Sequence, residues 1–461
     1  MGTLADDILL QIFKTFIGER NYESPSEEWH TLVHVCRRWR NLAFTSPRHL
    51  NLVLLYRCPF RSAKGMLDIW PELPIFVHDF GYSSKRAGDD IVAALRLNHR
   101  VSGIRLDNTS DSGWEIFAPL MQHSFPALTH LWIKPYRPIR NAISHSFLGG
   151  SAPCLQVLEV VHLPFPGLPE LLSSATNLVR LGYDNIPRSG YISPQAMVTG
   201  LSTLIRLQSL SLTFRSPGDL PDGAIRIPPP DMRTLLPALT DLCFGGSSEY
   251  VEDLVAQIDS PLLESVQITL FNQEVPQVSE LAKFVCRADK LSLPHQAEVI
   301  LMSHSISIGI SPELQLGFDP KTLILNLDCP EPAMRLSYLA RFCASSLSTL
   351  SPFESLYIHL PAYYTLPEFI DDPDPQWLEL LRLFTTVKNL RLSQTVALHV
   401  ALTLRGLLVE RVTAVLPVLE NVFISRLGTS GRVQEVISEF ADMRQLSGHP
   451  VSIYDWEGEV Y

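Results

Sequence analysis

The run Asp371-Asp372-Pro373-Asp374 puts three carboxylates within four residues, enough to hold a divalent cation or supply an acid/base pair. Prolines 367, 373 and 375 surround it and no apolar periodicity runs through it, so it reads as a solvated loop rather than a site. Seven cysteines (Cys36, Cys58, Cys154, Cys243, Cys286, Cys329, Cys343) are odd in number and widely spaced, with no Cys-x-x-Cys pair and no Cys/His grouping at zinc spacing. They read as reduced, mostly buried thiols. The fourteen histidines are dispersed, and His34 reads as a tolerated polar position on a helix. Neither a phosphate-cradling glycine loop nor a G-x-S-x-G, H-E-x-x-H or EF-hand pattern occurs. The expectation is a protein that is not an enzyme, with no catalytic residue, no metal and no cofactor.

Charge and composition narrow the partners. Lys and Arg total 37 against 48 Asp and Glu, a net charge of -11, which repels polyphosphate and anionic membrane surfaces. Neither nucleic acid nor a membrane is an expected partner. Hydrophobic residues make up 46% of the 461, ample for a core over most of the length. Proline counts 35, above the ordinary share of about 5%. Such a surplus requires frequent, regular turns. Asp6 and Asp7 stand where the basic region of a secretory signal would be, and no apolar run approaches the roughly 18 residues needed to span a bilayer. The nearest, Val396 to Val409, is interrupted by His399, Thr403 and Arg405. With the thiols reduced, the expected location is cytoplasmic, nuclear or both.

Turns recur on a period. The template apolar-x-x-apolar-x-apolar appears as Val101/Ile104/Leu106, Leu128/Leu131/Ile133, Leu155/Leu158/Val160, Leu178/Leu181/Tyr183 and Leu207/Leu210/Leu212. It continues through Leu239/Leu242/Phe244, Leu263/Val266/Ile268, Ala288/Leu291/Leu293, Thr322/Leu325/Leu327, Phe353/Leu356/Ile358, Val387/Leu390/Leu392 and Leu419/Val422/Ile424, at intervals of 23 to 34 residues. Weaker copies, Leu50/Val53/Leu55 and Leu73/Phe76/His78, precede them. The last two apolar positions alternate as on a short strand, and amphipathic stretches such as 169–176, 251–258 and 377–384 suit intervening helices. A proline often precedes the strand (Pro126, Pro153, Pro237, Pro417), where it would end the preceding helix. The reading is an α/β solenoid over residues 53–461, an irregular leucine-rich-repeat-like horseshoe with a parallel sheet. The segment 294–320 fits worst, since the alternation Ile306, Ile308, Ile310 predicts an extra strand with no repeat around it.

Two long loops interrupt the repeats, residues 215–230 and 360–375. Insertions in a solenoid gather on one face and often meet the ligand. The second loop offers Tyr363 and Tyr364 beside Asp371 and Asp372, candidate contacts for a basic target protein whose identity the sequence leaves open. Between the apolar strand positions lie Trp132, Glu159, Gly182, Ser211, Cys243, Gln267, Ser292, Tyr357, Arg391 and Phe423, too mixed a set for one catalytic chemistry.

Residues 1–52 differ from the rest. Leu4, Ile8, Leu9, Ile12, Phe13 and Phe16 form a helical stripe with Thr3 as N-cap, and Trp29, Leu32, Val33, Cys36, Trp39 and Ala43 form a second that runs to Ser46-Pro47. So small an all-α unit cannot bury these side chains by itself. Its residues Leu4-Ala5-Asp6-Asp7-Ile8-Leu9, Ile12-Phe13, Trp29-x-x-Leu32-x-x-Val35-Cys36-Arg37-Arg38-Trp39-Arg40-x-Leu42-Ala43 and Ser46-Pro47 closely resemble the F-box motif in its fungal form. The match departs from the pattern at Leu4-Ala5, where Leu-Pro is usual, and in the longer connection between helices. The resemblance implies a three-helix F-box-like domain over residues 1–52 that docks on the Skp-type linker of an SCF (Skp-cullin-F-box) ubiquitin ligase. Leu4, Ile8, Leu9, Ile12, Phe13, Trp29, Leu32, Val35, Cys36 and Trp39 would then divide between internal core and linker-binding surface. On that basis the chain would be a substrate-recognition adaptor for ubiquitin conjugation, with the linker, the cullin scaffold and a target protein as partners. The alternative is a leucine-rich-repeat scaffold whose N-terminal helices only cap the solenoid.

Overall fold

The structure of the protein is a computed structural model that describes residues 4–17, 28–47, 50, 52–57, 72–79, 85–216, 232–271, 278–288, 290–291, 296–302, 305–311, 323–328, 335–344, 353–360, 375–407, 412–425 and 431–456. Its chain contacts divide into two compact units, residues 1–219 and 220–461.

One local device builds the repeats of both units. The amide of an apolar residue donates to the carbonyl three residues earlier, closing a turn: Leu128 to Phe125 (3.1 Å), Leu155 to Ala152 (3.1 Å), Leu239 to Leu236 (3.3 Å) and Leu419 to Leu416 (3.1 Å). In these four the second residue of the turn is Pro126, Pro153, Pro237 or Pro417, whose fixed φ suits that corner. The prolines therefore make the turn itself, where the sequence reading gave them the task of ending a helix. The same bond closes at Leu263 after Ser260-Pro261, and without proline at Leu178 and Leu207.

The first unit opens with three helices, α1 (Asp6–Ile17), α2 (Trp29–Val35) and α3 (Arg37–Thr45). Apolar spacing predicts one helix from Trp29 to Ala43, but the chain breaks at Cys36, which is extended (φ -158°, ψ 169°). Its Sγ accepts from the Trp39 amide at 3.5 Å and so caps α3. Arg38 ties α3 to α1, donating to Asp6 Oδ1 at 2.6 Å and to the Leu4 carbonyl. Trp29 Nε1 donates to the Val53 carbonyl at 3.0 Å, so the helices are fastened to the strand that follows.

Seven parallel strands come next, β1 (Leu54–Arg57), β2 (Ile75–Asp79), β3 (Val101–Asp107), β4 (His130–Lys134), β5 (Val157–Val161), β6 (Arg180–Ile186) and β7 (Ser209–Phe214), each paired with its successor. Helices α4 (Lys85–Leu95), α5 (Asp111–Phe117), α6 (Leu168–Leu172) and α7 (Pro194–Leu201) connect them. Val77, Ile104, Leu131, Leu158, Leu181 and Leu210 stand in one register row and are all buried. They form the helix-facing core, and the last five are the middle anchors read from the repeat. The weak copies at β1 and β2 are off by one, because Leu55 and Phe76 lie on the other, open face with Gly103. A register shift between Ile75 and Phe76 makes the difference, and with a side-chain period of two, one residue of slip exchanges the faces.

The second unit contains β8 (Thr234–Leu235) and β10 (Ile258–Asp259) as a short parallel pair, and a larger set: β9 (Asp241–Gly246), β11 (Ser265–Leu270), β12 (Gln296–Leu301), β13 (Ser305–Ser311), β14 (Leu323–Asp328), β15 (Ser355–His359), β16 (Asn389–Leu392), β17 (Asn421–Ser425) and β18 (Ser452–Trp456). Its helices are α8 (Ser248–Gln257), α9 (Ser279–Cys286), α10 (Arg335–Phe342), α11 (Pro375–Leu381), α12 (Gln394–Arg405) and α13 (Arg432–Leu446). The strands run β9-β11-β14-β13-β12-β15-β16-β17-β18, parallel except that β13 is antiparallel to both neighbours. The Ile306/Ile308/Ile310 alternation is therefore a genuine extra strand, and it reverses the spatial order of β12 to β14. One anchor is corrected by this. Leu291 lies in a turn rather than on a strand, and the strand beyond it turns Ala297, Val299 and Leu301 inward, because β12 takes its register from β15.

Buried polar side chains stitch successive repeats together. Glu252 on α8 accepts from the amides of Glu280 (2.9 Å) and Leu281 (2.8 Å), capping α9 of the next repeat. Arg444 on α13 is wholly buried and donates to the carbonyls of Val412, Leu416, Pro417 and Leu419. Among the described residues five cysteines are free thiols, and for these the expectation of mostly buried ones is corrected. Cys36, Cys154 and Cys286 are exposed and Cys243 is half-buried, leaving Cys343 buried, with its pKa pushed up to about 12. Among the described residues no helix is long and apolar enough to cross a membrane.

Candidate interaction surfaces

On α1, the 3.6-residue period separates two sets of apolar side chains. Leu9 and Phe13 turn inward, and Phe13 stacks at 4.8 Å against Trp39. Ile8, Ile12 and Phe16 occupy a row at i, i+4 and i+8 and remain 45 to 48% exposed, with Leu4 continuing the row one turn earlier at 51%. Val35 at the end of α2 is exposed too, as is Cys36 beside it. The ten residues singled out from the sequence thus divide cleanly. Leu9, Phe13, Trp29 and Leu32 are core, Trp39 is half-buried, and Leu4, Ile8, Ile12, Val35 and Cys36 face outward.

The open strand face of the first unit pairs several of its charged side chains with one another. Row partners His78, Arg105, Trp132, Glu159, Gly182 and Ser211 run across it. Asp107 Oδ2 takes Arg105 Nε at 2.6 Å and His78 Nε2 at 3.2 Å. Burial pushes the Asp107 pKa up, but the hydrogen bonds and charges of His78 and Arg105 outweigh it and hold the carboxyl below its ordinary range. Glu159 receives Lys134 at 2.5 Å with Arg180 at 3.9 Å, and Asp184 Oδ1 accepts from Ser211 (2.6 Å) and Thr213 (3.0 Å). At the edge of this face, Val53, Leu55, Phe76 and Trp132 form a small apolar cluster.

In the second unit the corresponding row reads Glu298, Tyr357, Arg391, Phe423, Tyr454. Arg391 lies between two rings, its Cζ 5.2 Å from the centroid of Phe423 and 5.5 Å from that of Trp456. Trp456 meets Tyr357 edge-on at 5.2 Å, Tyr357 stacks on His359 at 4.6 Å, and Phe423 stacks on Tyr454 at 5.1 Å. His359 Nε2 lies 3.0 Å from Glu298 Oε1, within ion-pair distance though off hydrogen-bond alignment. Nε and Nη1 of Arg391 are covered and have no hydrogen-bond partner. Burial lowers the Arg391 pKa, and it raises that of Tyr357 to about 12 with help from the Glu298 charge. A row of asparagines underlies the site, with Asn421 donating to Asn389 at 2.9 Å.

Sequence reasoning named Tyr357, Arg391 and Phe423 as open-face positions and dismissed them as mixed. It missed Glu298, His359, Tyr454 and Trp456. Their only signal was strand register, since Glu298 stands where Ser292 was expected, and β18 carries no copy of the template. Tyr363, Tyr364, Asp371, Asp372 and Ser292 lie outside the described residues. Among the described residues no group of three or more His, Cys, Asp or Glu side chains is placed to hold a metal ion.

No protein-family model and no curated protein matches the chain. A solved structure, that of the leucine-rich repeat-containing protein LegL7 from Legionella pneumophila, is similar over 86% of this chain and 98% of its own, at 13% identity and a TM-score of 0.27.

Proposed function

We propose that the protein is a non-enzymatic adaptor that docks through its N-terminal helices on a Skp-type linker and presents a target protein on its strand faces to a cullin-based ubiquitin ligase. The observation that supports this reading is the α1 row Ile8, Ile12 and Phe16 with Leu4 just ahead of the helix, four large apolar side chains about half exposed while Leu9 and Phe13 turn inward. A row of this kind is what a partner helix or groove covers. Completing the burial of each such side chain is worth roughly 1 kcal/mol, about half of a full transfer, so the row would supply a substantial share of a docking energy. Catalysis would then come from proximity, by raising the concentration of target lysines near the transferring subunits without any reacting group from this chain.

Ile8→Asp combined with Ile12→Asp tests the reading. Both positions face out, so the fold should be preserved by circular dichroism while capture of a purified Skp-type linker is lost. Undiminished capture refutes docking through this row. A second reading, helices that only cap the solenoid, draws on the Trp29 Nε1 bond to the Val53 carbonyl. It requires that the intact chain bind no linker and that deletion of residues 1–52 cause aggregation.

A further inference from the structure

Among the open-face cations of the first unit, Arg105, Lys134 and Arg180 each lie within 4 Å of a carboxylate. Arg391 has aromatic rings in that position instead. Two of its nitrogens are covered and unbonded, an arrangement that costs stability and that natural structures rarely leave without a reason. The charged groups facing it from neighbouring strands are few. Glu298 is two strands away, roughly 10 Å at ordinary strand spacing, and is engaged with His359. On its own strand the adjacent open-face residue is the neutral Asn389, and β17 and β18 contribute Phe423, Ser425, Tyr454 and Trp456. The site is thus a single half-buried guanidinium held between aromatic rings.

We infer that the open face of β15 to β18 is a binding site for a peptide segment that offers one Asp or Glu carboxylate to Arg391, with apolar neighbours packed on Phe423, Tyr454 and Trp456. A guanidinium receives a carboxylate through two parallel N–H bonds, from Nε with Nη2 or from Nη1 with Nη2, and each of these forks contains one of the two unbonded donors. The Trp456 ring lies 5.5 Å from the Arg391 Cζ, so a peptide seated on the guanidinium also meets the indole. A monoanion fits better than a phosphate dianion, because no second Lys or Arg stands beside Arg391 and Glu298 adds a negative charge nearby. The inference extends the adaptor reading to the target side and stands or falls separately from linker docking at α1.

The test is selection from a displayed library of random dodecapeptides on the full chain, followed by titration of the best peptide with intrinsic tryptophan fluorescence. Selected peptides should share an acidic residue at one position. Replacing it by Gln in the peptide, or Arg391→Gln in the protein, should each weaken binding at least about tenfold, the cost of losing a charge-assisted pair. The fluorescence change should vanish in Trp456→Phe. The peptide substitution needs no altered protein, so the test holds even if Arg391→Gln folds poorly. Absence of an acidic preference, no selected binder, or equal binding of the Gln peptide overturns the proposal. Tenfold tighter binding when phosphoserine replaces the acidic residue overturns the choice of carboxylate.

Discussion

Two arginines of the second unit, Arg444 buried and Arg391 half-buried, should respond to the same substitution in different ways. Arg444→Met removes a guanidinium that serves four carbonyls, the shortest bond being 3.1 Å to Leu419 and the others 3.4 to 3.5 Å. Methionine fills a similar volume and donates nothing. One well-formed bond to a charged donor is worth about 1.5–3 kcal/mol, and three long ones add a fraction each, partly offset by relief from burying the charge and the unbonded Nε. The net loss is about 2 kcal/mol. Arg391→Met removes a half-buried cation, but two of its donors are unbonded, so the substitution relieves about 1–3 kcal/mol for each. Against that stand two ring contacts of about 0.5–2 kcal/mol each. The middle of each range leaves about 1–2 kcal/mol in favour of methionine.

Unfolding of a repeat array need not be two-state, so the measurement is local: amide hydrogen exchange followed by mass spectrometry of proteolytic fragments. A loss of about 2 kcal/mol speeds exchange roughly thirtyfold, and this acceleration should be confined to fragments covering residues 412–425 in Arg444→Met. Fragments covering 387–392 and 421–425 in Arg391→Met should exchange no faster than in the wild type. If Arg391→Met proves the more damaging of the two, Arg391 is a structural clasp like Arg444, and the reasoning that separates them is wrong.

Three further outcomes follow from the same geometry. A Cβ on Gly190 would lie 2.3 Å from Tyr183 Oη and 2.9 Å from Pro164 Cα, so Gly190→Ala should dislodge the tyrosine that donates to the Gly190 carbonyl and accepts from Phe165, lowering stability by about 2 kcal/mol in a urea titration. Burial raises the Glu252 pKa despite its amide hydrogen bonds. Its contribution to stability is therefore complete below the ordinary glutamate value and is lost as pH rises through the raised one, so Glu252→Gln should abolish a decline in melting temperature just above about pH 4.5, and an unchanged slope would contradict it. Asp107 has the opposite sign, its depressed pKa adding stability above the ordinary aspartate value that is lost as pH falls through the lowered one. Asp107→Asn should thus cost about 1 kcal/mol at pH 7, a cost that fades as pH falls below the ordinary aspartate value and through the lowered one, by the same melts.

The repeats were legible because the signal that reveals them is local. Three apolar residues within six positions define both the turn and the strand, and for Leu128, Leu155, Leu178, Leu207, Leu239, Leu263 and Leu419 the structure places the first of them at the end of a hydrogen-bonded turn. Failures arose where position depends on a distant partner. At β2 the residues Phe76 and His78 fit the template as well as Ile75 and Val77, and pairing with β3 selects the second set. At Cys36 the apolar period continues without interruption while the backbone does not, because a helix break is set by how α2 and α3 pack rather than by the stripe they share. The division of the N-terminal apolar residues into core and surface was similarly beyond periodicity, since Leu9 and Ile8 are equally apolar and differ only in which neighbours reach them.

The open face of the second unit shows most clearly why a site can be hidden in a readable fold. Glu298 and His359 approach within 3.0 Å although 61 positions apart, and two strands, β13 and β14, lie between them in the chain but not in space. Without the antiparallel insertion, β12 would neighbour β11 and Glu298 would face a different row. The unplaceable segment of the sequence is therefore what brings an acid beside the Tyr357 and Arg391 row, and β18, which lacks the repeat template, is what supplies Trp456 to cover the guanidinium. Departures from a repeat cost regularity in the ladder, yet they are the positions at which a solenoid can differ from its own neighbours. Exchanging β18 for a regular repeat end without Tyr454 and Trp456 should leave the helix-facing core of Val422 and Ile424 covered while uncovering Arg391, and the reading of this face as a built site requires that such a chain lose selectivity for its peptide before it loses stability.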